Sequence, residues 1–151
     1  MNNPILIAVD AMGGDNSPDK VIEGVSIHSR SSKDVNYKIF GDKNLIEPLI
    51  SRHKILSHRI DIHHTPNYVH GEDSALAAAK KGKDTSLWLS IESLKTNEAD
   101  AVVSAGNTGA LFVIAKLNLQ MIDNIDKPAL SALWPNKNSL NVVLDLGANI
   151  E

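Results

Sequence analysis

Ile5-Leu6-Ile7-Ala8-Val9-Asp10-Ala11-Met12-Gly13-Gly14-Asp15-Asn16-Ser17-Pro18 is the stretch that decides the fold. Residues 5–9 are apolar at every position and rich in β-branched side chains, as a strand covered on both faces requires. Asp10 ends the run and two glycines turn the chain. Ser17-Pro18 then opens a helix, with Ser as N-cap and Pro in the first turn, where its missing N–H costs little. That helix carries Val21, Ile22 and Val25 on one side and is expected to fray over the polar residues 29–34.

Working outward, the same alternation continues. A strand over 37–40 ends at Gly41-Asp42, a short helix over 45–50 forms despite Pro48, and a third strand covers 60–63. Residues 65–73 read as a polar, mobile loop. Ser74 caps a helix over 75–81, Gly82 breaks it, and Thr85 or Ser86 restarts a helix to about Lys95. A fourth strand covers 101–103, and a helix from Asn107 through Met121 is apolar nearly all round in its first turns, hence buried. The runs 129–134 and 140–144 lie too close for a crossover helix and predict an antiparallel hairpin. This order predicts an α/β fold: a mostly parallel sheet with flanking helices, in a Rossmann-like three-layer arrangement. The 151 residues suit a single domain over 1–151. The final run enters a glycine turn and the sequence stops soon after, so it is expected to be the N-terminal part of a longer chain.

Composition narrows the function. Fifteen Lys and Arg against eighteen Asp and Glu give a net charge of -3, no general reason to bind nucleic acid. Aromatic residues are 4%, too few for a base-stacking platform. Cysteine is absent, which excludes thiolate metal sites and a cysteine nucleophile. No stretch has the length of a membrane span or the form of a secretory leader, so a cytoplasmic location is expected, with contact at the membrane surface left open. His63 and His64 are adjacent on a strand and point to opposite faces, so no metal site is expected of the histidines, which read as solvated or loop residues. Trp88 and Trp134 read as core or interface residues.

Three turns carry similar chemistry. They are Asp10 with Gly13, Gly14 and Asp15; Ser104 with Gly106, Asn107, Thr108 and Gly109; and Asp145 with Gly147 and Asn149. In open parallel sheets, ligands bind beyond the carboxyl ends of strands. There glycines admit a close approach of backbone N–H groups and a helix N-terminus favours an anion. Three such turns at one sheet edge predict a phosphate or oxyanion cradle. Neither the G-x-G-x-x-G spacing nor the Gly-Lys-Ser/Thr ending of a nucleotide loop is present, so no cofactor is expected. Backbone N–H groups around Gly106 to Gly109 would hold phosphate, with the Asn107 and Thr108 side chains as further donors, while the aspartates fix the turns by accepting backbone N–H bonds.

The segments 10–18, 104–111 and 145–149, in this order and spacing, resemble the signatures of the bacterial phosphate acyltransferases of the PlsX type, across essentially the whole chain. The resemblance implies transfer of a fatty acyl group from acyl carrier protein to inorganic phosphate, giving acyl phosphate for phospholipid synthesis. It implies a homodimer, a fold similar to the isocitrate and isopropylmalate dehydrogenases, and delivery of product to a downstream acyltransferase at the membrane. Members of this family are considerably longer, so this piece alone is expected to be weak or inactive. Residues 83–86 resemble the family's basic-x-Ser-Ser element, which places Lys83 and Ser86 at the site; Thr85 and Leu87 depart from the usual Ser and Met. Lys80, Lys81 and Lys83 form a candidate docking face for the acidic carrier protein. Two alternatives stand beside this reading: a phosphotransacetylase-like enzyme of the same fold, and a non-catalytic module that binds a phosphoryl ligand.

Overall fold

The computed structural model describes residues 4–146. Four strands, β1 (Ile5–Asp10), β2 (Val35–Gly41), β3 (Ile60–His64) and β4 (Ala101–Ser104), form a parallel sheet in the order β3-β2-β1-β4. The chain steps outward from β1 to β3, then crosses back to place β4 on the other side of β1. β1 therefore pairs with β2 (Val9 beside Ile39) and with β4 (Val9 beside Val103). The order reverses between β1 and β4, and at such a reversal the two following loops part and leave a crevice.

Helices cover both faces. Helices α1 (Asp19–Ser31) and α2 (Lys43–Ser51) pack with Val9, Tyr37 and Ile39 into one core, which includes Leu56 of a 3₁₀ turn at Lys54–Leu56. Ile22, Ile39 and Ile46 retain no exposed surface there, and burying each contributes roughly 1.5–3 kcal/mol. Helices α3 (Ala75–Lys80), α4 (Ser86–Lys95) and α5 (Thr108–Asn118) build the second core around Leu87, Trp88, Ile91 and Ile114, joined by Val102 of β4. The predicted three-layer α/β class is the one observed.

Several local expectations need correction. Ser17 is not a cap: its hydroxyl turns back to donate to the Gly13 carbonyl at 2.6 Å, and α1 starts at Asp19. That helix holds to Ser31 instead of fraying, because Ser26 and Ser29 are buried within it. The α5 helix stops at Asn118, three residues short of Met121, and only Ala110, Ile114 and Asn118 are buried along it. Two histidines have hydrogen-bond partners in the fold, His28 with the Tyr37 hydroxyl at 2.7 Å and His53 with Ser26 at 3.1 Å, while His58, His63, His64 and His70 are exposed as expected. The hairpin forms as predicted, from β5 (Ser131–Pro135) and β6 (Leu140–Leu144), but as a separate antiparallel sheet. Trp134 on it is 61% exposed and is no core residue.

Candidate active site

The turns after β1 and β4 meet at the reversal point. Their backbones touch: a Cβ on Gly13 would lie 2.5 Å from Asp10 Oδ2 and 3.0 Å from the Gly106 Cα, and one on Gly14, whose φ is +95°, would lie 2.6 Å from the Ala105 carbonyl. Only glycine fits either position.

Asp10 holds the junction together from beneath. Its carboxylate is buried and accepts from the Ser86 hydroxyl at 2.7 Å on Oδ1 and from the Ser104 hydroxyl at 2.7 Å on Oδ2, with the Met12 N–H at 3.3 Å on Oδ1. Ser104 Oγ in turn accepts from the Gly106 N–H at 3.1 Å. One carboxylate thus ties the end of β1 to the start of α4 and the end of β4. Hydrogen bonding on both oxygens compensates the burial of its charge.

Above this knot lies a cleft of about 570 Å³, bordered by Gly14 and Asp15, by Gly106 to Gly109, and by Tyr68, His70 and Gly71 from the 65–73 loop. The α5 N-terminus opens into it. Asn107 caps that helix, its Oδ1 accepting from Ala110 N–H at 2.9 Å. Both protons of the Asn107 amide go to the carbonyls of Gly71 and Asp73, each at 2.9 Å. Donors left for a ligand in the first turn of α5 include the N–H groups of Thr108 and Gly109, which have no acceptor among the described residues, and the Thr108 hydroxyl. Free N–H groups, the helix dipole and a glycine-lined wall make an anion site.

The 65–73 loop, expected to be mobile, makes hydrogen bonds to its neighbours. Ser86 N–H donates to the Asn67 carbonyl at 2.9 Å, Asn67 Nδ2 to Asp84 at 2.6 Å, and His70 N–H to Asp73 Oδ2 at 2.7 Å. Lys81 pairs with Asp73 at 2.6 Å, and chiefly that hydrogen bond holds the Asp73 carboxyl below its ordinary range. Tyr68 and His70 were missed as cleft residues. No spacing rule links them to Thr108, although the polar loop they sit on pointed to function.

The remaining candidates fall as follows. Asp15 is exposed on a rim shared by the cleft and an apolar cavity of about 410 Å³ between α1 and β4, lined by Val21, Val25 and Val103. Ser86 is fully buried and reaches Asp10 only. Lys83 is exposed, its Nζ 6.0 Å from the centre of the Trp88 ring. Asp145 follows β6 with a φ of 59° and donates its N–H to the Leu130 carbonyl, so this first residue of the third turn is tied to the hairpin. Gly147 and Asn149 lie outside the described residues. No group of three or more His, Asp or Glu side chains able to hold a metal occurs among the described residues.

With this geometry established, comparison with known proteins identifies the family. A family described as "Fatty acid synthesis protein" matches residues 5–151. The chain belongs to this family. It is 58% identical over 151 residues to a Pelagibacter ubique protein named phosphate acyltransferase, 46% to one of that name from Rhodospirillum rubrum and 42% to one from Beijerinckia indica. Each match takes in 99–100% of this chain but only 45%, 43% and 39% of those relatives, so the chain spans less than half their length.

Proposed function

We propose that the cleft binds inorganic phosphate at the α5 N-terminus, and that the whole protein transfers a fatty acyl group from acyl carrier protein to it. The observation that carries this reading is the convergence of the Gly13-Gly14 turn and the free N–H groups of Thr108 and Gly109 on one crevice. The phosphate acyltransferase name of the relatives supports the reaction.

A phosphate oxygen attacks the thioester carbonyl, the C–S bond breaks as the C–O–P linkage forms, and the carrier thiol takes up a proton. Phosphate is an adequate nucleophile and a thiolate leaves readily, so the site has to supply proximity, partial desolvation and donors for developing charge. The Thr108 and Gly109 N–H groups hold the phosphate. The apolar cavity that shares Asp15 and Ala105 with the cleft offers the acyl chain an adjoining place.

Partners follow from the same reading. Lys80 and Lys83 are exposed, while Lys81 is held by Asp73, so we assign carrier-protein docking to Lys80 and Lys83 first. Reversing both charges should slow association most at low salt. We place the reaction in the cytoplasm, in a homodimer, handing acyl phosphate to a membrane acyltransferase; no helix among the described residues is long and apolar enough to cross a membrane. The test is thiol release by the full-length protein from acyl carrier protein thioester. Release that requires phosphate supports the reading, and release at the same rate without phosphate refutes it.

A further inference from the structure

The Asn107 side chain makes three hydrogen bonds in two directions. Its carbonyl oxygen caps α5, and its amide nitrogen reaches loop carbonyls 36 and 34 residues away, at Gly71 and Asp73. A cap needs only an acceptor, so serine or aspartate would serve it equally well. The amide is required for the second task, because only a side chain that both accepts and donates can cap the helix and hold two carbonyls at once. The loop it holds supplies Tyr68, His70 and Gly71 to the wall of the cleft facing the free α5 N–H groups. Elsewhere the loop is tied to α4 and α3 through Asn67 and Asp73, so Asn107 is its direct side-chain link to α5.

We propose that Asn107 is a positioning residue that fixes the 65–73 loop against the α5 N-terminus, setting the wall on which the acyl donor is seated and not donating to phosphate itself. This assignment rests on the reaction proposed above. Phosphate is met by backbone groups that survive replacement of the Asn107 side chain; the thioester is placed against the loop, whose half-buried Tyr68 lines the cleft while Val69 anchors the loop in the second core.

The experiment uses the full-length enzyme with Asn107→Ser, which keeps the cap and removes the latch without adding charge, and Asn107→Asp, which keeps the cap and turns the latch atoms repulsive. Hydrogen exchange and steady-state kinetics are read together. Asn107→Ser should speed amide exchange over residues 66–73 about tenfold, leave α5 exchange unchanged and raise the KM for the acyl thioester about fivefold. The KM for phosphate should stay within about twofold. Asn107→Asp should loosen the loop at least as much. The proposal is overturned if loop exchange is unchanged in both variants, or if the phosphate KM rises with the thioester KM unmoved. Absence of phosphate-dependent turnover in the unaltered enzyme would instead sink the proposed reaction, and the exchange result would stand apart from it.

Discussion

At the scale of single residues, Asp10 and Gly13 are the least replaceable. Asp10→Asn leaves only one side-chain oxygen for two serine hydroxyls, so one buried donor loses its acceptor. Such a loss costs about 1–3 kcal/mol, and chemical denaturation should show it as a lower midpoint with an unchanged slope. Gly13→Ala forces a methyl group into the Asp10 carboxylate and the Gly106 backbone, and overpacking of this kind costs about 1–3 kcal/mol. Thr108→Pro tests the cradle more finely. Thr108 is the first residue of α5, where proline is well tolerated, and Asn107 before it already has the extended ψ of 116° that a residue preceding proline prefers. The variant should fold normally yet lose both the N–H and the hydroxyl of Thr108, raising the phosphate KM roughly tenfold or more, whereas Thr108→Val, which keeps the N–H, should show the smaller effect of the hydroxyl alone.

Elements depend on what binds their ends. Thr85 caps α4 through the Trp88 N–H, and its replacement by alanine should cost about 1 kcal/mol in thermal unfolding. The Asp73–Lys81 pair that supports the loop has a defined acid limit. Asp73 has its pKa lowered in the folded state, mainly by the Lys81 hydrogen bond, so its stabilisation is present above the unfolded-state value and is lost as pH falls through the lowered one. Loop exchange should therefore stay slow at pH 5 and rise only below about pH 4, and Asp73→Asn should abolish that step. Elements were legible in the sequence where their signals are local. The apolar run of β1, the Ser74 cap, the helix starts near Thr85 and Asn107 and the hairpin spacing were all readable. Ser17 misled because its hydroxyl found an acceptor in the glycine turn behind it. The ties of the 65–73 loop were not legible, because its partners Lys81, Asp84, Ser86 and Asn107 follow no period, and the last lies more than thirty residues away.

For the whole molecule, strand order is what makes a site. The chain places β4 beside β1 and so brings together two turns whose Asp10 and Ser104 are 94 residues apart, which no local pattern announces. The turns themselves were legible; their contact through Gly13 and Gly106 was an inference from fold class that the structure bears out. The place of the hairpin was not, because an antiparallel pattern shows that β5 and β6 pair but not where the pair sits. That hairpin exposes Leu133, Leu140, Val142 and Leu144 at 58–67%, so its amides should exchange orders of magnitude faster than those of β1 and β2. The claim on which the rest depends is that the crevice between β1 and β4 is a phosphate site. Titrating inorganic phosphate into the isotopically labelled protein and following backbone amides tests it directly. Saturable shifts confined to residues 12–15 and 105–109, strongest at Thr108 and Gly109, are predicted; saturation elsewhere with those amides unmoved would contradict it.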